Sequence, residues 1–132
     1  MSLFQKISPD DLDLFDASWL EPIPGVKKVE FRSMMRKVKE GEWSVWRLQP
    51  PASGIAVAYP EDGKLFIYYL RGFKLFATLT KEDLLEAARL EGLSGCQAEA
   101  SSKAMIILLK RIGFKPILKT EIGTLLELED GR

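Results

Sequence analysis

The sequence predicts a mixed α/β fold, α+β in layout. It is a single domain over residues 1–132, whose central, mostly antiparallel sheet of about seven strands carries helices on both faces. Three observations predict it. The apolar spacing changes from helical to alternating at Glu42 and returns to helical at Thr80. Between those points three alternating runs are joined by the turn sequences PPASG and PEDG, an antiparallel meander. A helix, a strand and a helix then follow, so strand five can pair beside strand four across a crossover before a closing hairpin.

The elements run β-α-α-β-β-β-α-β-α-β-β. SLFQKIS reads as a short strand, and SPDD opens a helix. Ser8 suits the cap and Pro9 the first helical position, while Asp10 and Asp11 favour the positive dipole end. Leu12, Phe15 and Leu20 share one face of it, and EPIPG ends it. A second helix spans about Val29–Lys39, with Phe31, Met35 and Val38 inward and a basic stripe of Lys28, Arg32, Arg36 and Lys39 outward. WSVWRL, GIAVAY and KLFIYYL are strands two to four. In PEDG, Pro60 presets the first central angle and Gly63 accepts positive φ. TKED (Thr80–Asp83) resembles a capping box, and its helix stops at Gly92. CQAEA is a short strand. Ser101 or Ser102 caps the apolar helix KAMIILLKRI, which stops at Gly113, and FKPILKTE with TLLELE forms the final hairpin.

Composition removes several kinds of chemistry. The 132 residues hold no histidine, which excludes the commonest general base, Ser-His and Cys-His pairs and most zinc sites, so no metal is expected. Nineteen basic side chains balance nineteen acidic ones, so no global field points to nucleic acid or an anionic membrane. One cysteine, Cys96, fits a reducing compartment, and in a central strand it reads as packing rather than a nucleophile. MSLFQKIS lacks the apolar core of a signal peptide and no apolar run reaches membrane-spanning length, so the expected location is cytoplasmic.

This order, together with KISPDDLDLF at the start, DLLEAARLEGLSGCQAEA in the middle and SKAMIILLKRIGFKPI near the end, resembles the GNAT superfamily, the Gcn5-related N-acetyltransferases. Its most specific piece is Ile112-Gly113-Phe114 after the penultimate helix. The resemblance implies an acyl-CoA, acetyl-CoA in the simplest case, lying where strands four and five splay apart. The pantetheine arm would pair with strand four, and a glycine-rich loop would hold the pyrophosphate ahead of a helix N-terminus. It implies an amine as acceptor. The segment RGFKLF stands where that loop belongs, which makes Leu70, Arg71, Gly72, Phe73, Lys74 and Leu75 the candidate cofactor-binding residues. Arg71 and Gly72 match the usual opening, whereas Lys74 and Phe76 replace the small residues that let amides converge on phosphate.

Acyl transfer to an amine needs a base and often an acid for the leaving thiolate. The family's customary Tyr corresponds to Leu109, which holds no proton, and the Asn often found at that helix start corresponds to Ser102. The candidate catalytic residues are therefore Glu99 on strand five and Tyr69, or its neighbour Tyr68, on strand four. Alternation sends the two tyrosines to opposite faces. Aromatic sheet packing and a solvated charge are the competing accounts of these residues. Trp19, in WLEPIPG, would lie on the acceptor side, while Trp43 and Trp46 fall on opposite sides of their strand.

Two readings result. One is a divergent acyl-CoA-dependent N-acetyltransferase with an altered pyrophosphate loop. The other is a catalytically inactive GNAT-fold protein with a binding or assembly role, joined to a protein partner or its own copies. The chain also resembles short GNAT-like proteins of tailed bacteriophages, some of which serve in virion assembly. That likeness would place it in host cytoplasm or virion. Nucleic acid ranks last among partners, because no stacking aromatics accompany the basic stripe.

Overall fold

The computed structural model describes residues 3–8, 28–50, 52–73 and 78–130. Seven strands form one sheet: β1 (Phe4–Ile7), β2 (Ser44–Leu48), β3 (Ser53–Glu61), β4 (Lys64–Phe73), β5 (Gly95–Ala100), β6 (Lys115–Lys119) and β7 (Thr124–Glu129). Among the described residues three helices accompany them: α1 (Lys28–Lys39), α2 (Lys81–Leu90) and α3 (Lys103–Ile112). The sheet order is β1-β2-β3-β4-β5-β7-β6. Each neighbouring pair is antiparallel except β4–β5, which is parallel. The predicted mixed, mostly antiparallel sheet is therefore present. The helix expected through Leu12, Phe15 and Leu20, and the WLEPIPG segment with Trp19, lie outside the described residues.

Alternation along the strands builds two cores, one on each face. Ile55 and Val57 of β3 join Val45, Met34 and Val38 beneath α1. Ala56 and Ala58, alternating with them, face the larger core, with Trp46, Leu65, Ile67, Cys96, Ala98, Leu126 and Leu128. That core is closed by Leu84, Leu85, Ala87 and Ala88 of α2 and Leu109 of α3. Helix α1 buries Met34 and Val38; the side chains of Phe31 and Met35, expected inward, lie outside the described residues. Trp46 is fully buried, and its indole N–H is satisfied because Nε1 donates to Ser44 Oγ at 2.8 Å.

Two local expectations change. The β3–β4 turn is not centred on Pro60, which stays in β3 opposite Leu65. The corner is Asp62-Gly63, with φ of 51° and 79°, the doubly left-handed pair that matches the twist of a two-residue hairpin. Strand β4 also runs past Leu70, so Arg71, Gly72 and Phe73 pair with Ile55, Gly54 and Ser53 of β3 instead of beginning a loop. Lys74 and Leu75 lie outside the described residues.

Helix α2 is the crossbar of the molecule. Thr80 caps it and Asp83 completes a capping box: the Asp83 N–H donates to Thr80 Oγ1 at 3.3 Å, and the Thr80 N–H to Asp83 Oδ2 at 3.2 Å. The other Asp83 oxygen accepts from the Leu3 N–H at 3.4 Å, and Lys6 Nζ meets Glu91 Oε1 at 2.6 Å, tying α2 to β1. Arg89 grips Asp130 through Nε (2.6 Å) and the second guanidinium nitrogen (3.0 Å), tying α2 to the end of β7.

Candidate functional site

Strands β4 and β5 share three residue pairs, Leu65↔Cys96, Phe66↔Gln97 and Ile67↔Ala98, and then part. Beyond Ile67, β4 continues along β3 to Phe73, while β5 continues along β7 to Ala100. The sheet therefore opens in its middle, and among the described residues no strand pairs with the β4 edge facing the opening. An extended ligand with amide groups can pair there. Leu70 lies half-buried beside the opening and packs against the larger core.

The first residues past the last shared pair are Tyr68 on β4 and Glu99 on β5. Tyr68 is also the extra residue of a bulge. Ile67 pairs with Ala58 and Tyr69 with Val57, so the register shifts by one residue at Tyr68. The register therefore shifts at this point of β4, and the expectation that alternation separates Tyr68 from Tyr69 falls on a side chain outside the described residues. A bulge leaves no signature in a run such as IYYL. The Tyr68 ring is 40% exposed and lies tilted 4.9 Å from Trp43, on the α1 side of the sheet. Glu99 alternates with the core residues Ala98 and Ala100, so it too faces the α1 side, half-buried. The side chain of Tyr69 lies outside the described residues, as do those of Arg71 and Phe73.

An aromatic ledge extends from this mouth. Trp43 stacks on Tyr59 at 4.5 Å, and Tyr59 on Phe66 at 5.1 Å. The Lys37 ammonium sits 4.8 Å from the Trp43 ring, a cation–π contact. Burial, followed by the charge of Glu61 and a hydrogen bond donated to it, pushes the Tyr59 phenol up to about 12, with smaller additions from Tyr68 and Glu99. Tyr68 and Glu99 thus both lie within electrostatic reach of Tyr59. No motif announced Tyr59 or Trp43; the β2–β3 and β3–β4 registers bring them beside Tyr68.

Two other expected features read differently in space. Leu109, at the family's acid position, is buried in the larger core. At the α2 N-terminus, where a pyrophosphate would sit, Asp83 completes the capping box, and Glu82 stands beside it in the first turn, held by Arg89 at 2.7 Å. Two carboxylates there oppose an incoming diphosphate. The residues present thus fit a pantetheine-like arm along the β4 edge. They do not favour a diphosphate at the helix end, where two carboxylates already stand. Ser102 is the cap of α3, accepting from the Met105 N–H at 3.0 Å. Among the described residues no group of three or more His, Cys, Asp or Glu side chains can hold a metal ion, and no helix is long and apolar enough to cross a membrane.

No family model and no curated protein matches the chain. Solved structures do. A GNAT-family acetyltransferase structure from Desulfovibrio desulfuricans is similar over 97% of this chain and 98% of its own, at 17% identity and a TM-score of 0.69. The Campylobacter jejuni N-acetyltransferase PseH, solved with acetyl coenzyme A, covers 98% of this chain and 100% of its own at 12% identity and a TM-score of 0.62. The PaiA N-acetyltransferase of Thermoplasma acidophilum, solved with coenzyme A, covers 96% and 97% at 14% identity and a TM-score of 0.59. The chain has the GNAT fold.

Proposed function

We propose that this protein is an acyltransferase that draws an acyl group from a CoA-type thioester, acetyl-CoA in the simplest case, and passes it to an amine. The observation that carries the reading is the opening between β4 and β5, with Tyr68 and Glu99 on its two sides immediately past Ile67↔Ala98. The thioester supplies an electrophilic carbonyl. Leu70, Gly72 and Phe73 offer backbone and apolar surface to the arm, and Arg71 and Lys74 offer cationic side chains to its phosphates, with Leu75 beyond them. Glu99 takes the proton the amine sheds as its nitrogen attacks. A tyrosine of β4, Tyr69 or Tyr68, gives a proton to the departing thiolate as the C–S bond breaks.

Thermal unfolding with and without acetyl-CoA tests this reading. Ligand at ~100 times its Kd adds about 2.7 kcal/mol of stability and raises Tm by several degrees. Arg71→Ala should reduce that shift. An unmoved Tm at millimolar acetyl-CoA would sink the reading.

A second reading is favoured by two specific observations, the buried Leu109 and the carboxylates at the start of α2. Under it the fold is kept without transfer, as a binding or assembly component. Ile107, Ile117, Leu118 and Ile122 are exposed and give that role a surface. Light scattering after size exclusion tests it, a strictly monomeric protein without a partner counting against it.

A further inference from the structure

We propose that the acceptor is a monocationic amine on an aromatic or bulky apolar body, rather than a polyamine or a multiply charged sugar; this rests on the transfer reading above. The argument is one of charge count and of surface. The α1-side face beside the opening presents Tyr68, Tyr59, Phe66 and half-buried Leu125, which stands opposite Glu99 in the β5–β7 ladder. Its described carboxylates are mostly engaged. Glu61 accepts from the Tyr59 hydroxyl. Glu127 is held by Lys64 at 3.1 Å, with Glu129 3.9 Å from the same ammonium. Glu99, among the described residues, has no ion pair. Among the described residues, the one available carboxylate, between an aromatic ring and a leucine, suits one ammonium with an apolar neighbour. A polyamine brings two or more further cations, and burying one without a partner is strongly unfavourable. The ledge also shows its affinity for ammonium directly, in Lys37 over Trp43 at 4.8 Å.

Calorimetric titration at neutral pH, with and without CoA present, tests the inference using phenethylamine, its anionic counterpart phenylacetate, and spermidine. Phenethylamine should bind at least tenfold more tightly than either of the others. Glu99→Gln should remove most of that preference. Tyr68→Ala should weaken phenethylamine severalfold, and Tyr68→Phe should retain it, since the ring and not the hydroxyl makes the contact. Spermidine or phenylacetate binding as tightly as phenethylamine, no binding by any of the three, or an unchanged Glu99→Gln profile would each overturn it. The two proposals fail separately. Acetyl-CoA stabilising a protein that ignores phenethylamine removes only the acceptor class. Phenethylamine binding with no response to acetyl-CoA keeps this amine site and removes transfer.

Discussion

Cys96 is fully buried in β5, where its thiol donates to the Leu84 carbonyl at 3.4 Å. Burial pushes its pKa from 9.0 to about 12, against a small opposing pull from Lys64. A thiol held neutral in this way is a packing group, as its place in an apolar strand suggested. Both Cys96 and Tyr59 have folded pKa values raised above their unfolded ones. Their neutral forms therefore lend stability that is complete below the unfolded pKa and is lost as pH rises through the folded one. Urea unfolding should show stability declining from about pH 9, where the unfolded thiol begins to ionise, and more steeply from about pH 10 as the unfolded phenol joins it. Cys96→Ala should be less stable throughout but lack the decline between about pH 9 and 10. A wild-type stability flat to pH 11 would contradict the assignment.

At the scale of elements, α2 exposes the limit of reading by analogy. TKED was legible as a helix start because Thr and Asp three apart satisfy each other's N–H groups, and the capping box is there. Thr80→Ala should lower stability by ~1 kcal/mol in chemical denaturation. Asp83→Ala should cost more, since the Leu3 N–H loses its acceptor as well. The same capping box sets the Asp83 carboxylate at the end of the helix that a diphosphate would need, a consequence no spacing rule announces. Strand β4 gives the complementary case. Its first seven residues were legible, whereas its extension through Arg71, Gly72 and Phe73 and the bulge at Tyr68 depend on pairing with β3. Gly123 teaches a similar lesson: a Cβ there would collide with the Ala100 carbonyl. The β6–β7 turn is thus pressed against the end of β5, so Gly123→Ala should destabilise the hairpin by more than the few tenths of a kcal/mol usual at a surface turn.

At the scale of the molecule, the order of strands and helices among the described residues was legible because each alternating or helical run is bounded by its own turn or cap. What lay beyond reach was the insertion of β7 between β5 and β6, together with the ring contacts across Trp43, Tyr59 and Phe66. Both are products of tertiary register. Leu126, at the centre of β7 and fully buried in the larger core, should be among its most sensitive positions. Leu126→Ala is expected to cost about 3 kcal/mol and lower Tm on the order of 10 °C by calorimetry. Chain order also respects the parallel junction. The strands before it, β1 to β4, form one antiparallel group, and those after it, β5 to β7, another. Two panels thus meet along a seam of three rungs, with α2 as the brace riveted to β1 at one side and to Asp130 at the other. Those three rungs are the strand pairing that joins the panels among the described residues. An extended molecule lying in the seam would act as its missing rungs, stiffening the whole frame rather than filling a hole in it.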